Sequence, residues 1–139
     1  MIDRVMDLQN LKVHHVAIPL AKAVSVSVDT PMSEVLDLCR RHGYSRMPVW
    51  QPAANSRRIV GLINVRSFLH SATPDPGPTA GAYVTQAHYL SDDLRLETAL
   101  RQLQRNGQRM AIVLGPDKRE TGIVSMQDIL RAIFGDVSL

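Results

Sequence analysis

Apolar positions along the chain change period several times, and each change marks an element. Val24, Val26 and Val28 alternate with Ser25 and Ser27, which predicts a strand. Met32, Val35, Leu36 and Cys39 then recur at helical spacing. Asp29 or Thr30 is the expected cap of that helix, with Pro31 near its first turn, and Gly43 is the expected stop. Strands are predicted over 47–50 and 59–65, with a polar loop over 51–56 between them and a helix over 66–70. Upstream, Ile2, Val5, Met6 and Leu8 form one side of a short leading helix over 1–12, and Pro19 breaks any helix there. Residues 71–82 read as a linker, because three prolines and two glycines crowd 71–81. Beyond it the pattern predicts a strand over 87–90, a helix over 92–106 stopped by Gly107, and a strand over 110–114. A turn at Gly115-Pro116-Asp117, a strand over 121–125 and a helix over 127–134 complete it.

The second series repeats the first. GLINVRSFL (61–69) aligns with GIVSMQDIL (122–130), putting Asn64 on Ser125 and Ser67 on Asp128. GYSRMPVW (43–50) matches GQRMAIVL (107–114), with Arg46-Met47 set on Arg109-Met110. Upstream, Met32 falls on Leu96, Val35 on Ala99 and Leu36 on Leu100. The chain is therefore an α/β (α+β) protein of two βαββα motifs, over 13–70 and 83–136. Each copy exposes a sheet face that it cannot bury alone, so the expectation is a pseudo-twofold intertwined pair with grooves between the copies.

Composition narrows the class of function. The 139 residues are 45% hydrophobic but only 4% aromatic, so the core is aliphatic. No apolar run approaches the roughly 18 residues needed to span a bilayer, and no signal peptide is read at the N-terminus. The one cysteine, Cys39, falls on an apolar helix side and reads as a core residue in a reducing compartment. The net charge of +3 is spread over separate pairs, Arg40-Arg41, Arg57-Arg58 and Lys118-Arg119. A nucleic-acid surface needs a clustered basic stripe, so no nucleic-acid partner is expected. His14 and His15, read as strand neighbours, point to opposite faces, and no Cys/His spacing suggests zinc; no metal site is expected. No nucleophile elbow, P-loop or catalytic His/Cys pairing occurs, so the chain is not expected to be an enzyme.

The chemistry lies at Ser125 and Asp128. A hydroxyl at a helix N-terminus with a carboxylate one turn on suits a sugar-phosphate: amides and hydroxyl face anionic oxygens, and the carboxylate accepts from ribose hydroxyls. The same residues also make a plain capping arrangement, and local sequence leaves both readings open.

The duplicated pattern resembles the CBS domain, which occurs in tandem pairs called Bateman modules. It is most similar to the pair in the CorC/CNNM (hemolysin-like) magnesium and cobalt transport proteins. VHHVAIP (13–19), GYSRMPV (43–49), MAIV (110–113) and GIVSMQDILRAIFGD (122–136) carry the resemblance. It implies a regulatory module, the cytoplasmic part of a divalent-cation transport or efflux protein held at the plasma membrane. It also implies a homodimer and a non-covalent adenine nucleotide (AMP, ADP or ATP, with or without Mg). By this resemblance Tyr44 contacts the nucleoside, Arg46 meets the phosphates, Pro48 lies at the pocket base, and Ser45 is a further ligand-binding position. Ile18, Pro19, Ala23 and Met126 form the wall, with Ser125 and Asp128 on phosphate and ribose. Ile18 stands where the family has threonine and removes one hydroxyl. Tyr44 and Arg46 equally suit a plain helix-to-strand turn. A second groove, with Asn64, Ser67 and Arg109, is expected to be weaker. Its serine brings no charge, and a charge-assisted hydrogen bond is about twice as strong as a neutral one. The alternative is a structural dimerisation module with a non-functional pocket.

Overall fold

The computed structural model describes residues 10–53, 56–70 and 78–135. The expected leading helix lies mostly outside them, as does the linker over 71–77. The chain divides into two compact units, one of residues 24–87 and the other of residues up to 23 together with 88 onward.

In the unit of residues 24–87, β2 (Val26–Ser27) runs parallel to β3 (Arg46–Ala53), and β3 pairs antiparallel with β4 (Ser56–Asn64). The helix α2 (Met32–His42) joins β2 to β3, and α3 (Val65–Leu69) follows β4. Alternate residues of a strand face opposite sides, so Met47 and Val49 turn together toward Met32, Val35, Ile63, Val65 and Phe68. Met32, Val35, Met47, Val49 and Ile63 are fully buried. Removing such a side chain from water stabilises the fold by about 1.5–3 kcal/mol each.

The remaining elements are α1 (Val13–Val16), β1 (Ile18–Pro19), β5 (His88–Ser91), α4 (Leu96–Arg105), β6 (Met110–Leu114), β7 (Glu120–Ser125) and α5 (Met126–Phe134). Their sheet has the order β1-β7-β6-β5, with β5 parallel to β6 and the other pairs antiparallel. Its core is Val13, Leu90, Leu96, Ala99, Leu103, Ala111, Val113, Val124 and Ile129. The two predicted motifs and their order of elements are present, but the segment leading into each copy folds with the other copy's unit, so residues 13–23 do not belong with the first motif as expected. Residues 10–23 pack with the second copy's helix and sheet, and residues 78–85 with the first copy's.

That exchange corrects several expectations. Neither Asp29 nor Thr30 caps α2. Its N-cap is Pro31 without a side-chain bond, and the Met32 amide donates to the Pro78 carbonyl at 3.0 Å. Thr30 Oγ1 instead accepts from the Ser27 amide. The helix expected from Asp92 begins at Leu96, whose amide donates to the Leu11 carbonyl at 3.1 Å. In both units, backbone from the lead-in segment does what a capping side chain was expected to do. The polar loop over 51–56 is strand on both sides: β3 and β4 pair out to Ala53 and Ser56, past a register shift at Val49/Trp50. The Val24–Val28 strand shortens to Val26–Ser27, and residues 80–83 of the expected linker form a 3-10 turn. His14 and His15 lie on a helical turn, not a strand. Their rings are 4.1 Å apart, and His15 Nδ1 accepts from the Lys12 amide.

The alignment of Arg46 with Arg109 is also corrected. Arg46 pairs with Asn64 across the sheet, whereas Met110 pairs with Ser125. The Val65 amide donates to the Ser45 carbonyl and the Met126 amide to the Arg109 carbonyl, each at 2.8 Å. Arg46 is therefore the counterpart of Met110, and Ser45 that of Arg109.

Candidate functional site

In the unit carrying the second copy, β7 ends at Ser125 in extended backbone and α5 starts at once. Ser125 Oγ accepts from the Asp128 amide at 3.0 Å. The Met126 amide donates to the Arg109 carbonyl at 2.8 Å, and the Gln127 amide belongs to the first turn, whose donors have no intrahelical partner. Ser125 is thus a true cap, yet its own hydroxyl proton remains available. The Asp128 carboxylate is held loosely: Arg131 approaches no closer than 3.7 Å, and the aspartate side chain is 26% exposed. This end of α5 offers a hydroxyl donor, first-turn amides, a carboxylate acceptor and the positive end of a helix dipole.

The edge strand β1 lies beside it. Ile18 pairs with Ile123, and Pro19 with Gly122. Gly122 permits this approach, because a Cβ there would stand 2.5 Å from the Ile18 carbonyl oxygen. Ala23 follows the 3-10 turn Leu20–Lys22, and its amide donates back to Pro19 and Leu20. Ile18, Pro19, Ala23, Ser125, Met126 and Asp128 therefore belong to one unit, as does Arg109. Ile18 presents an exposed apolar side chain at this edge.

The other unit holds Tyr44, Ser45, Arg46, Pro48, Asn64 and Ser67. The cap is repeated there: Asn64 Oδ1 accepts from the Ser67 amide at 3.1 Å, with no carboxylate following. Ser45 and Arg46 adjoin this helix start, through the Ser45 carbonyl and the Arg46–Asn64 pairing. Arg46 Nη1 also lies 3.4 Å from Ser45 Oγ. Pro48 is buried opposite Leu62, and Tyr44 is half exposed.

The close approach at these glycines was missed from sequence. Gly61, aligned with Gly122, repeats it: a Cβ there would stand 2.3 Å from the Thr85 carbonyl oxygen. Thr85 is consequently the counterpart of Ile18, and its hydroxyl donates to the Leu62 carbonyl at 3.1 Å. The threonine lacking at Ile18 thus has an equivalent in the other unit. In the sequence only the equivalent places of 12–18 and 79–85 ahead of the two copies mark it, and 79–82 lie in a stretch whose composition reads as linker.

Ion pairs set two carboxyl groups below their ordinary range. The Arg41 hydrogen bond and charge hold Asp37 down, and the Lys12 hydrogen bond and charge do the same for Asp93. Among the described residues, no three His, Cys, Asp or Glu side chains gather as metal ligands, and no helix is long and apolar enough to cross a membrane.

The CBS domain family model matches residues 13–73 and 81–135. The magnesium and cobalt efflux protein CorC of Escherichia coli (strain K12) is 24% identical over 138 residues, covering 99% of this chain and 47% of CorC. UPF0053 protein YhdP of Bacillus subtilis is 22% identical, covering 98% of this chain and 31% of YhdP. The chain thus spans less than half the length of these curated relatives. Among solved structures, the CBS domain of a bacterial CNNM/CorC family Mg2+ transporter in complex with ATP superposes with a TM-score of 0.81 at 23% identity. That match covers 98% of this chain and 96% of the other. A CBS-domain pair with bound AMP from Klebsiella pneumoniae gives 0.71 at 17% identity, covering 90% and 99%. With both copies matched and the duplicated fold in place, the chain belongs to the CBS domain family as a tandem pair.

Proposed function

We propose that this CBS pair binds an adenine nucleotide and regulates an attached divalent-cation transport domain. The observation that carries the reading is the start of α5. There the Ser125 hydroxyl and the Gln127 amide are the donors on which the reading rests, and Asp128 keeps a carboxylate that Arg131 approaches only to 3.7 Å. Phosphate oxygens suit the two donors, and a ribose hydroxyl suits the carboxylate. Tyr44, Ser45, Arg46 and Pro48 of the first copy are proposed as ligand contacts too, and Asn64, Ser67 and Arg109 as a weaker set. The ATP-bound and AMP-bound relatives support the ligand class, and CorC supports the transport context. The module acts as a homodimer on the cytoplasmic side of the membrane, and its role is regulatory, not catalytic.

Titration calorimetry with ATP and AMP, with and without Mg2+, tests the proposal. Binding to the wild type and its loss in Asp128→Ala are expected, with Ser67→Ala nearly unchanged. Absence of heat at millimolar nucleotide refutes it. One observation favours the rival reading of a structural dimerisation module: both helices carry the same satisfied cap, so the cap at Ser125 needs no ligand to explain it.

A further inference from the structure

His42 and Tyr44 form an aromatic pair that the resemblance does not include. Their ring centroids are 6.0 Å apart and their planes 6° from parallel. This lies within the offset-stacked range for aromatic pairs. The backbone brings them together. α2 ends at His42, and Gly43 takes a left-handed conformation (φ 72°) while its amide donates to the Cys39 carbonyl at 2.8 Å. This reversal turns Tyr44 back alongside the last residue of the helix. Immediately after Tyr44, the Ser45 carbonyl is fixed by the Val65 amide at 2.8 Å. The backbone is thus held on both sides of the tyrosine, while the residue stays 50% exposed. A half-exposed ring stacked on an imidazole is what a platform for a planar group requires.

The second copy has no equivalent. Gly107 repeats the left-handed turn (φ 64°), but Gln108 occupies the tyrosine position and Asn106 the histidine position. The stacked pair is therefore not a by-product of the turn, since the same turn forms without it.

We infer that His42 is a positioning residue for nucleobase recognition: by stacking on Tyr44 it holds the phenol ring in the orientation that receives the base. This rests on the nucleotide-binding reading above. Ring pairing of this kind is worth about two- to tenfold in affinity. Calorimetry with AMP on wild type, His42→Ala and His42→Phe tests it, with urea midpoints measured on all three. His42→Ala is expected to weaken AMP binding about two- to tenfold, with a small fall in the urea midpoint from the lost stacking. His42→Phe, which keeps a flat ring, is expected to restore wild-type affinity. Unchanged affinity in His42→Ala, or failure of phenylalanine to rescue, overturns the inference while leaving nucleotide binding intact. A wild type that binds no AMP overturns both.

Discussion

Replacing Gly122 by alanine probes the contact on which the exchanged segment depends. The added methyl would lie 2.5 Å from the Ile18 carbonyl oxygen and 3.2 Å from its carbon, about 0.9 Å inside ordinary contact. The obstacle is backbone, so no rotamer change relieves it. β1 must move off β7, and the pairs Ile18↔Ile123 and Pro19↔Gly122 loosen. Two weakened hydrogen bonds cost about 1 kcal/mol each, and overpacking adds about 1 kcal/mol. The reduced freedom of the unfolded chain returns about 0.5–1 kcal/mol. The net loss is about 2 kcal/mol, a shift of about 1 M in the urea midpoint for a slope near 2 kcal/mol/M. Gly61→Ala should match or exceed it, since its methyl would meet the Thr85 oxygen at 2.3 Å and Val84 Cγ1 at 2.6 Å. Gly107→Ala is the control: its φ is 64°, but nothing lies within 4 Å. It should cost only the left-handed penalty of about 1 kcal/mol. A Gly122→Ala midpoint equal to wild type, or a Gly107→Ala loss larger than both, refutes the close-approach argument.

Leu103 is fully buried in the second copy's core, so Leu103→Ala should cost about 2–5 kcal/mol by urea denaturation. Ser125→Ala and Asn64→Ala each remove an N-cap and should cost about 1 kcal/mol, but only Ser125→Ala should also weaken nucleotide binding in calorimetry. Asp93 is lowered from its ordinary 3.8 by Lys12, so its contribution to stability is present above that value and is lost as pH falls through the lower folded one. NMR titration of Lys12→Met should move the Asp93 midpoint back up toward 3.8, and added salt should shrink the difference.

The sequence by itself determined the duplication, the type and order of the main elements, and the cap at the start of α5. Those signals are local. Met32, Val35 and Leu36 match Leu96, Ala99 and Leu100 because each set covers one helix face, and Ser125 lies three residues before the amide it receives. Met110–Leu114 was legible to the residue, since a buried strand between turn residues has sharp ends. Tertiary structure alone decided which segments complete each unit. A two-residue strand such as Ile18–Pro19 carries no period to read, and its place follows from Gly122 leaving room for a carbonyl. The starts of α2 and α4 were misread for the same reason: Asp29, Thr30 and Asp92 are good local caps, but carbonyls of Pro78 and Leu11, distant in sequence, took the amides first. Sheet register places Arg46 on Met110, as an ungapped match of 43–50 on 107–114 also does, and the distinction matters because shifting a strand by one residue exchanges its faces. The stacking of His42 on Tyr44 likewise depends on the left-handed Gly43, whose neighbours are close in sequence but whose ring geometry only the folded turn defines.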